Sequence, residues 1–321
     1  MPTPALLRTA PNFVLPAMTD TFRTDADLSG LQLHRFGCRC ALHSRRLFTG
    51  ALVAGGAMAS WPVLAREEPP KESTFAKLVP AEQVEQAARQ QYQQMLRQAA
   101  QQKALAPDNH PQVVRLREIA KRIVPFALQW NPRARDWQWE INLIGSKDLN
   151  AFCMPGGKIA FFYGLLQQLQ LSDDEVAMVM GHEIAHALRE HARARMGKTA
   201  ATRIGAGLVS ALFGLGNTGD ALLHMGSQLL TLKFSREDEI EADVVGLEIA
   251  AKAGYNPRAG VTLWNKMMEG GRGGPPQFLS THPSGPNRIR EIEAQLPKVG
   301  PMYERAAKPP RDFGPPPREG R

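Results

Sequence analysis

The spacing of apolar residues changes several times along this chain, and each change marks a new element. Ala81 to Leu105 is rich in Gln and Ala, carries no helix breaker and has few large apolar residues. It predicts a long helix that is exposed or packed on a partner. Pro107 and Pro111 punctuate it. Val113, Leu116, Ile119, Ile123 and Phe126 then recur at helical spacing, which predicts a second helix over 112–129. From Trp137 to Leu143 the period falls to two. Trp137, Trp139, Ile141 and Leu143 share one face, and Gln138, Glu140 and Asn142 share the other, as in a half-buried strand. Asn150-Ala-Phe-Cys-Met leads through Pro155-Gly156-Gly157 into the apolar run from Lys158 to Tyr163. Pro-Gly-Gly is turn chemistry, so a hairpin is expected. Its edge could accept an extended peptide by strand addition; a purely structural hairpin is the equal alternative.

The next helix is the best signed. Ser172 and Glu175 form a capping box, Asp173 and Asp174 put negative charge on the first turn, and Val176, Val179 and Met180 supply an apolar side. Ala177, Gly181 and Ala185 make a stripe of small residues along it. Glycine inside a helix costs about 1 kcal/mol relative to alanine, so Gly181 points to the close approach of another element. Ile204 to Leu215 is apolar but too short to span a bilayer, leaving a packed helix, a lid or a surface-dipping segment. Ser235 caps a further helix with an acidic first turn.

Chemistry enters at His182-Glu183-Ile184-Ala185-His186. Residues four apart on a helix lie one above the other, so both imidazoles can reach one tetrahedral zinc. Glu183 sits beside them, placed to take a proton from metal-bound water. A third protein ligand is needed. The spacing that would supply it locally meets Ala192, with Arg189 where a glycine would stand, so it must come from elsewhere. Glu239, Asp243 and Gly246 share one face of the Ser235 helix. Glu239 is the best carboxylate available, and Asp243 can hold the free N–H of a ligating imidazole. An acidic helix start alone is a solvated cap; the upstream motif turns the choice toward a ligand. His191, half a turn around from His182, is expected on the surface. His110 and His224 have no supporting neighbours.

Composition adds an address. At 321 residues and 43% hydrophobic, the chain can bury one substantial core. Ser44-Arg45-Arg46-Leu47-Phe48, the apolar run from Leu52 to Ala59 and Val63-Leu64-Ala65 read in order as a signal peptide with paired arginines, of the twin-arginine kind. Cleavage after Ala65 removes six arginines and three aspartates and leaves 33 basic and 28 acidic residues. That mild excess, with no basic stripe interleaved with aromatics, argues against a nucleic-acid partner. Cys38 and Cys40 leave with the signal, so Cys153 stays alone and forms no internal disulfide. The expected organisation is a signal-bearing extension over 1–65, a linker and Gln/Ala-rich helix over 66–110, a catalytic domain over 111–296 and a disordered Pro/Arg-rich tail over 297–321.

Five pieces run in one order: Asn150-Ala-Phe with Pro-Gly-Gly and Gly164-Leu-Leu; His182-Glu-Ile-Ala-His186; Ser235-Arg-x-x-Glu239-x-x-Ala-Asp243; Ala253-Gly-Tyr-Asn-Pro257; and Thr281-His282-Pro283 with Arg288-Ile289. Together they resemble the Ste-type zinc endopeptidases, the gluzincin family of the CAAX prenyl protease and the HtpX-like, Oma-like and BepA-like proteases. The resemblance implies a mainly helical α+β zincin-type domain with a small sheet beside the active-site helix. It implies one zinc per chain held by His182, His186 and Glu239, with Glu183 as catalytic base and Asp243 behind the ligands. It places His282 near the active site, where it fills the open zinc position, stabilises an oxyanion or only packs the following helix. Protein or peptide substrates of the envelope follow from the same likeness; the export signal and the lack of a transmembrane helix point to its periplasmic branch, with membrane contact left open. A zinc-bound chaperone or scaffold with self-inhibited proteolysis shares every ligand and is the rival reading. Cys153-Met154 departs from the plainer residues usual there, and no helical-repeat domain follows.

Overall fold

The computed structural model describes residues 73–204, 225–269, 277–283 and 287–318. The arginine-paired segment, most of Ile204–Leu215, His224 and the glycine-rich 270–276 stretch lie outside the described residues.

Helix α1, Ala81–Gln101, is less exposed than its composition suggests. Val84, Ala88, Tyr92, Met95 and Ala99 recur at helical spacing and are buried, and the Tyr92 hydroxyl donates to the Ile159 carbonyl. Alanines fill the stripe between Val84, Tyr92 and Met95, so few large side chains mark it in the sequence. Helix α2, Pro111–Ala127, opens on His110, whose Nδ1 accepts from the Gln112 amide at 3.2 Å. His110 is thus a cap.

Strands β1, Glu140–Ile144, β2, Ala151–Met154, and β3, Lys158–Phe162, form one sheet in the order β1-β3-β2. The expected hairpin is β2–β3, antiparallel, with Ala151 opposite Phe161 and Met154 opposite Lys158. Its turn needs both glycines. Gly156 and Gly157 have φ of 85° and 74°, and a Cβ on Gly157 would stand 2.9 Å from the Trp139 ring. The alternation that begins at Trp137 has its buried face as expected, with Trp137, Ile141 and Leu143 in the core. The ladder itself starts only at Glu140: the Trp139 amide turns back to the Trp137 carbonyl, and the Glu140 amide is the one that donates across to Gly157.

After the short α3, Tyr163–Gln168, helix α4 runs from Asp173 to Leu188 with the capping box as read: Ser172 accepts from the Glu175 amide, and Glu175 accepts from the Ser172 amide. Every residue from Glu175 to Leu188 is buried, which places α4 at the centre of the domain. It packs on β2, α2, helix α6 (Arg236–Lys252) and helix α7 (Ala259–Glu269). Between α4 and α6 lies α5, His191–Ile204. Helices α8, Gln277–Thr281, and α9, Asn287–Arg305, close the site. Helix α9 continues through Pro297 and Pro301, so a boundary at 297 falls inside it. Beyond it the chain lies against the domain: Phe313 donates its amide to Asp173 at 2.8 Å, and Gln170 donates to the Pro316 carbonyl at 3.1 Å. The architecture is α+β, mostly helical with a small mixed sheet. Among the described residues no helix is long and apolar enough to cross a membrane.

Candidate metal centre

Two helices build the centre. One helical turn on α4 brings His182 and His186 together, with Nε2 atoms 3.0 Å apart. Helix α6 delivers Glu239, whose carboxylate lies 3.4 Å from His186 Nε2 and 3.5 Å from His182 Nε2. Ser235 caps α6 in a second capping box with Asp238, which places Glu239 at the start of a well-formed helix. The loop after α8 adds His282, with Nδ1 3.0 Å from Glu239 and 3.3 Å from His182 Nε2. One ligand atom from each of these four residues lies within 4.8 Å of every other, and all four residues are buried.

The outward face of His182 meets Asp243, one turn after Glu239, at 2.9 Å from Nδ1. Arg288, from α9, donates to Asp243 Oδ2 at 2.6 Å and to Oδ1 at 2.9 Å, and its Nη1 donates to Glu239. Its guanidinium lies 3.7 Å over the Trp264 ring. Burial raises the Asp243 carboxyl, but Arg288 and His182 outweigh it and hold it below the usual carboxylate range. Burial likewise raises Glu239, but its contacts with His186 and His282 outweigh that and hold the carboxyl below the usual range. Burial pushes His186 well below the ordinary imidazole value, which keeps it neutral.

These groups fit a cation. With Asp243 accepting a hydrogen bond from His182 Nδ1–H, the ring presents a lone pair at Nε2, facing His186 and a carboxylate across 3.0–3.5 Å. Two ring nitrogens and a carboxylate oxygen turned toward one point are what a cation draws together, and Arg288 offsets part of the carboxylate charge from behind. Two imidazoles and a carboxylate are a donor set that suits zinc. Glu183 is 2% exposed, and among the described residues its Oε1 has no hydrogen-bond partner. His282 Nε2 approaches that oxygen at 3.5 Å. Burial raises the Glu183 carboxyl above its usual value against the pull of His282 and His182.

The residues read from sequence, His182, Glu183, His186, Glu239, Asp243 and His282, therefore come together. His191 corrects an expectation: it is buried, with Nδ1 2.9 Å from His186 Nδ1. Helical extrapolation fails because α4 ends at Leu188 and Glu190 adopts a φ of 55°, so His191 starts a new helix in a new direction. Arg288 was legible only as part of a motif, with no role attached. Phe234, stacked on His186 at 4.0 Å, and Phe278, stacked on His282 at 4.3 Å, gave no signal, because aromatics that wall a site look like any others in a sequence.

A His-Glu-x-x-His helix beside a small sheet, with a carboxylate delivered from a second helix, defines the metalloendopeptidase class. Residues 112–296 match peptidase family M48, and the chain belongs to that family. It is 36% identical over 198 residues to the mitochondrial metalloendopeptidase OMA1 of Schizosaccharomyces pombe, covering 61% of this chain and 56% of that protein. Metalloprotease LoiP of Escherichia coli is 27% identical over 182 residues, 56% of this chain and 71% of that one. The beta-barrel assembly-enhancing protease of Escherichia coli is 27% identical over 177 residues, 52% of this chain and 36% of its own length. The chain thus spans little more than half of the fission-yeast relative.

Proposed function

We propose that this chain is a zinc-dependent endopeptidase that cleaves proteins of the cell envelope, with His182, His186 and Glu239 as ligands and Glu183 as base. The observation that carries the reading is the convergence of those three ligand atoms beside a buried Glu183 oxygen that has no hydrogen-bond partner among the described residues. Bound zinc supplies Lewis acidity, polarising the scissile carbonyl and lowering the pKa of a water to about 7. Glu183 Oε1 accepts a proton from the attacking water and hands it to the leaving amine. A carboxyl raised by burial holds that proton more readily than an exposed one. Asp243, backed by Arg288, keeps the His182 proton on Nδ1 and so keeps Nε2 free to bind.

His282 acts in this reading as a displaceable latch. Its Nδ1 lies among the ligand atoms, so the ring occupies space that substrate needs. The same observation favours the rival, a zinc-bound chaperone or scaffold whose own histidine closes the site. The paired arginines support export by the twin-arginine route to the periplasm, and the name of the beta-barrel assembly-enhancing relative supports an envelope setting. Casein cleavage by the purified chain, with and without EDTA, separates the readings. Chelator-sensitive cleavage supports the protease; zinc-loaded protein that never cleaves, even with His282 replaced, supports the scaffold.

A further inference from the structure

His191 is 4% exposed, and nothing above gives it a task. Its Nδ1 lies 2.9 Å from His186 Nδ1, and its Nε2 lies 3.1 Å from Glu241 Oε2. Glu241 also receives the Nε–H of Arg189. One constraint sets every proton along this line. An imidazole that gives its Nε2 lone pair to a metal carries its remaining proton on Nδ1. His186 therefore donates from Nδ1, and His191 must offer a lone pair at its own Nδ1. The His191 proton then sits on Nε2, facing a carboxylate. Each link has one donor and one acceptor, and Arg189 balances the charge at the end.

We propose that His191 and Glu241 are positioning residues for the metal, fixing the tautomer and ring orientation of His186 as Asp243 and Arg288 do for His182. The Phe234 stack holds the plane of the His186 ring, but a half-turn about its Cβ–Cγ bond would leave the stack intact and exchange Nε2 for carbon. The hydrogen bond to His191 selects the orientation that aims Nε2 at the centre. The two ligands are also polarised unequally. His182 touches a carboxylate directly, whereas a second imidazole stands between His186 and Glu241. The inference rests on reading His186 as a ligand and is separable from that reading.

The test uses the full chain and readouts that need no turnover: zinc affinity by competition with a chelator, and the visible absorption of the cobalt(II)-loaded protein. His191→Leu is expected to weaken zinc binding 10–100-fold and to shift the cobalt band, while the melting temperature of metal-free protein stays unchanged. His191→Asn, which keeps an acceptor near the place of Nδ1, is expected to recover most of the affinity. Glu241→Gln is expected to fall between. Should His191→Leu fail to fold, the Asn and Glu241→Gln variants carry the test alone. Wild-type affinity and an unshifted cobalt spectrum in Glu241→Gln and in whichever His191 variants fold overturn the inference. Undiminished zinc binding in His186→Ala overturns the ligand reading beneath it.

Discussion

Gly181 on α4 and Gly246 on α6 lie backbone to backbone where the two helices cross. A Cβ on Gly181 would stand 2.7 Å from the Gly246 carbonyl oxygen, and one on Gly246 would stand 2.7 Å from the His182 amide nitrogen. The obstructing atoms are main chain and cannot rotate away. This crossing is what brings Glu239 and Asp243, on the two turns before Gly246, against His182. Gly246→Ala is expected to push the helices apart, to cost about 1–3 kcal/mol or more in urea unfolding, and to lower zinc content. Ile240→Ala on the same helix, at a side chain 40% exposed, serves as the control and is expected to change stability by no more than about 0.5 kcal/mol. Equal behaviour of the two variants would contradict this account of the crossing.

Arg288 reaches two buried carboxylates at once, Asp243 and Glu239. Arg288→Met leaves both without their cation, and breaking a buried pair in this way costs about 3–5 kcal/mol. Arg288→Lys is expected to recover little, because a single ammonium cannot bridge two carboxylates and stack on Trp264. Thermal unfolding of both variants in the metal-free form checks this. Full stability in Arg288→Lys would show that only charge matters there.

His282 has two candidate roles of opposite sign. As a latch among the ligand atoms, its removal raises basal peptide cleavage. As an oxyanion donor, its removal depresses cleavage, by about 2.7–4 kcal/mol in the barrier. The approach of Nδ1 to His182 and Glu239 favours the latch, so faster cleavage by His282→Ala with unchanged zinc is expected. Loss of zinc from that variant would make His282 a structural ligand and remove both roles.

The elements legible in sequence were those whose signals are local. The Ser172 capping box, the Pro-Gly-Gly turn and the i, i+4 histidines each depend on neighbours a few residues away, and each stands where it was read. Gly181 was legible as a close approach, but its partner Gly246 was not, because only the fold pairs them. The buried stripe of α1 was missed because alanines make much of it. His191 was misplaced because the break at Glu190 leaves no trace in the apolar pattern. The tie from Arg288 to Asp243 joins residues 45 apart and became visible only in three dimensions.

The proposed export rests on residues outside the described structure. If Arg45 and Arg46 form a twin-arginine signal, replacing both with lysine is expected to leave the chain in the cytoplasm with its leader uncleaved. Normal export of the double variant would point to the general secretory route.

In the proposed reaction Glu183 acts on a proton and not on the metal, in a site whose third ligand is Glu239. The most direct measurement is zinc content beside peptide turnover in Glu183→Gln, with Glu239→Ala as its counterpart. Glu183→Gln is expected to keep about one zinc per chain and lose turnover, since the amide fills the same space but accepts no proton. Glu239→Ala is expected to lose the zinc. Wild-type turnover in Glu183→Gln, or full zinc in Glu239→Ala, would contradict the account.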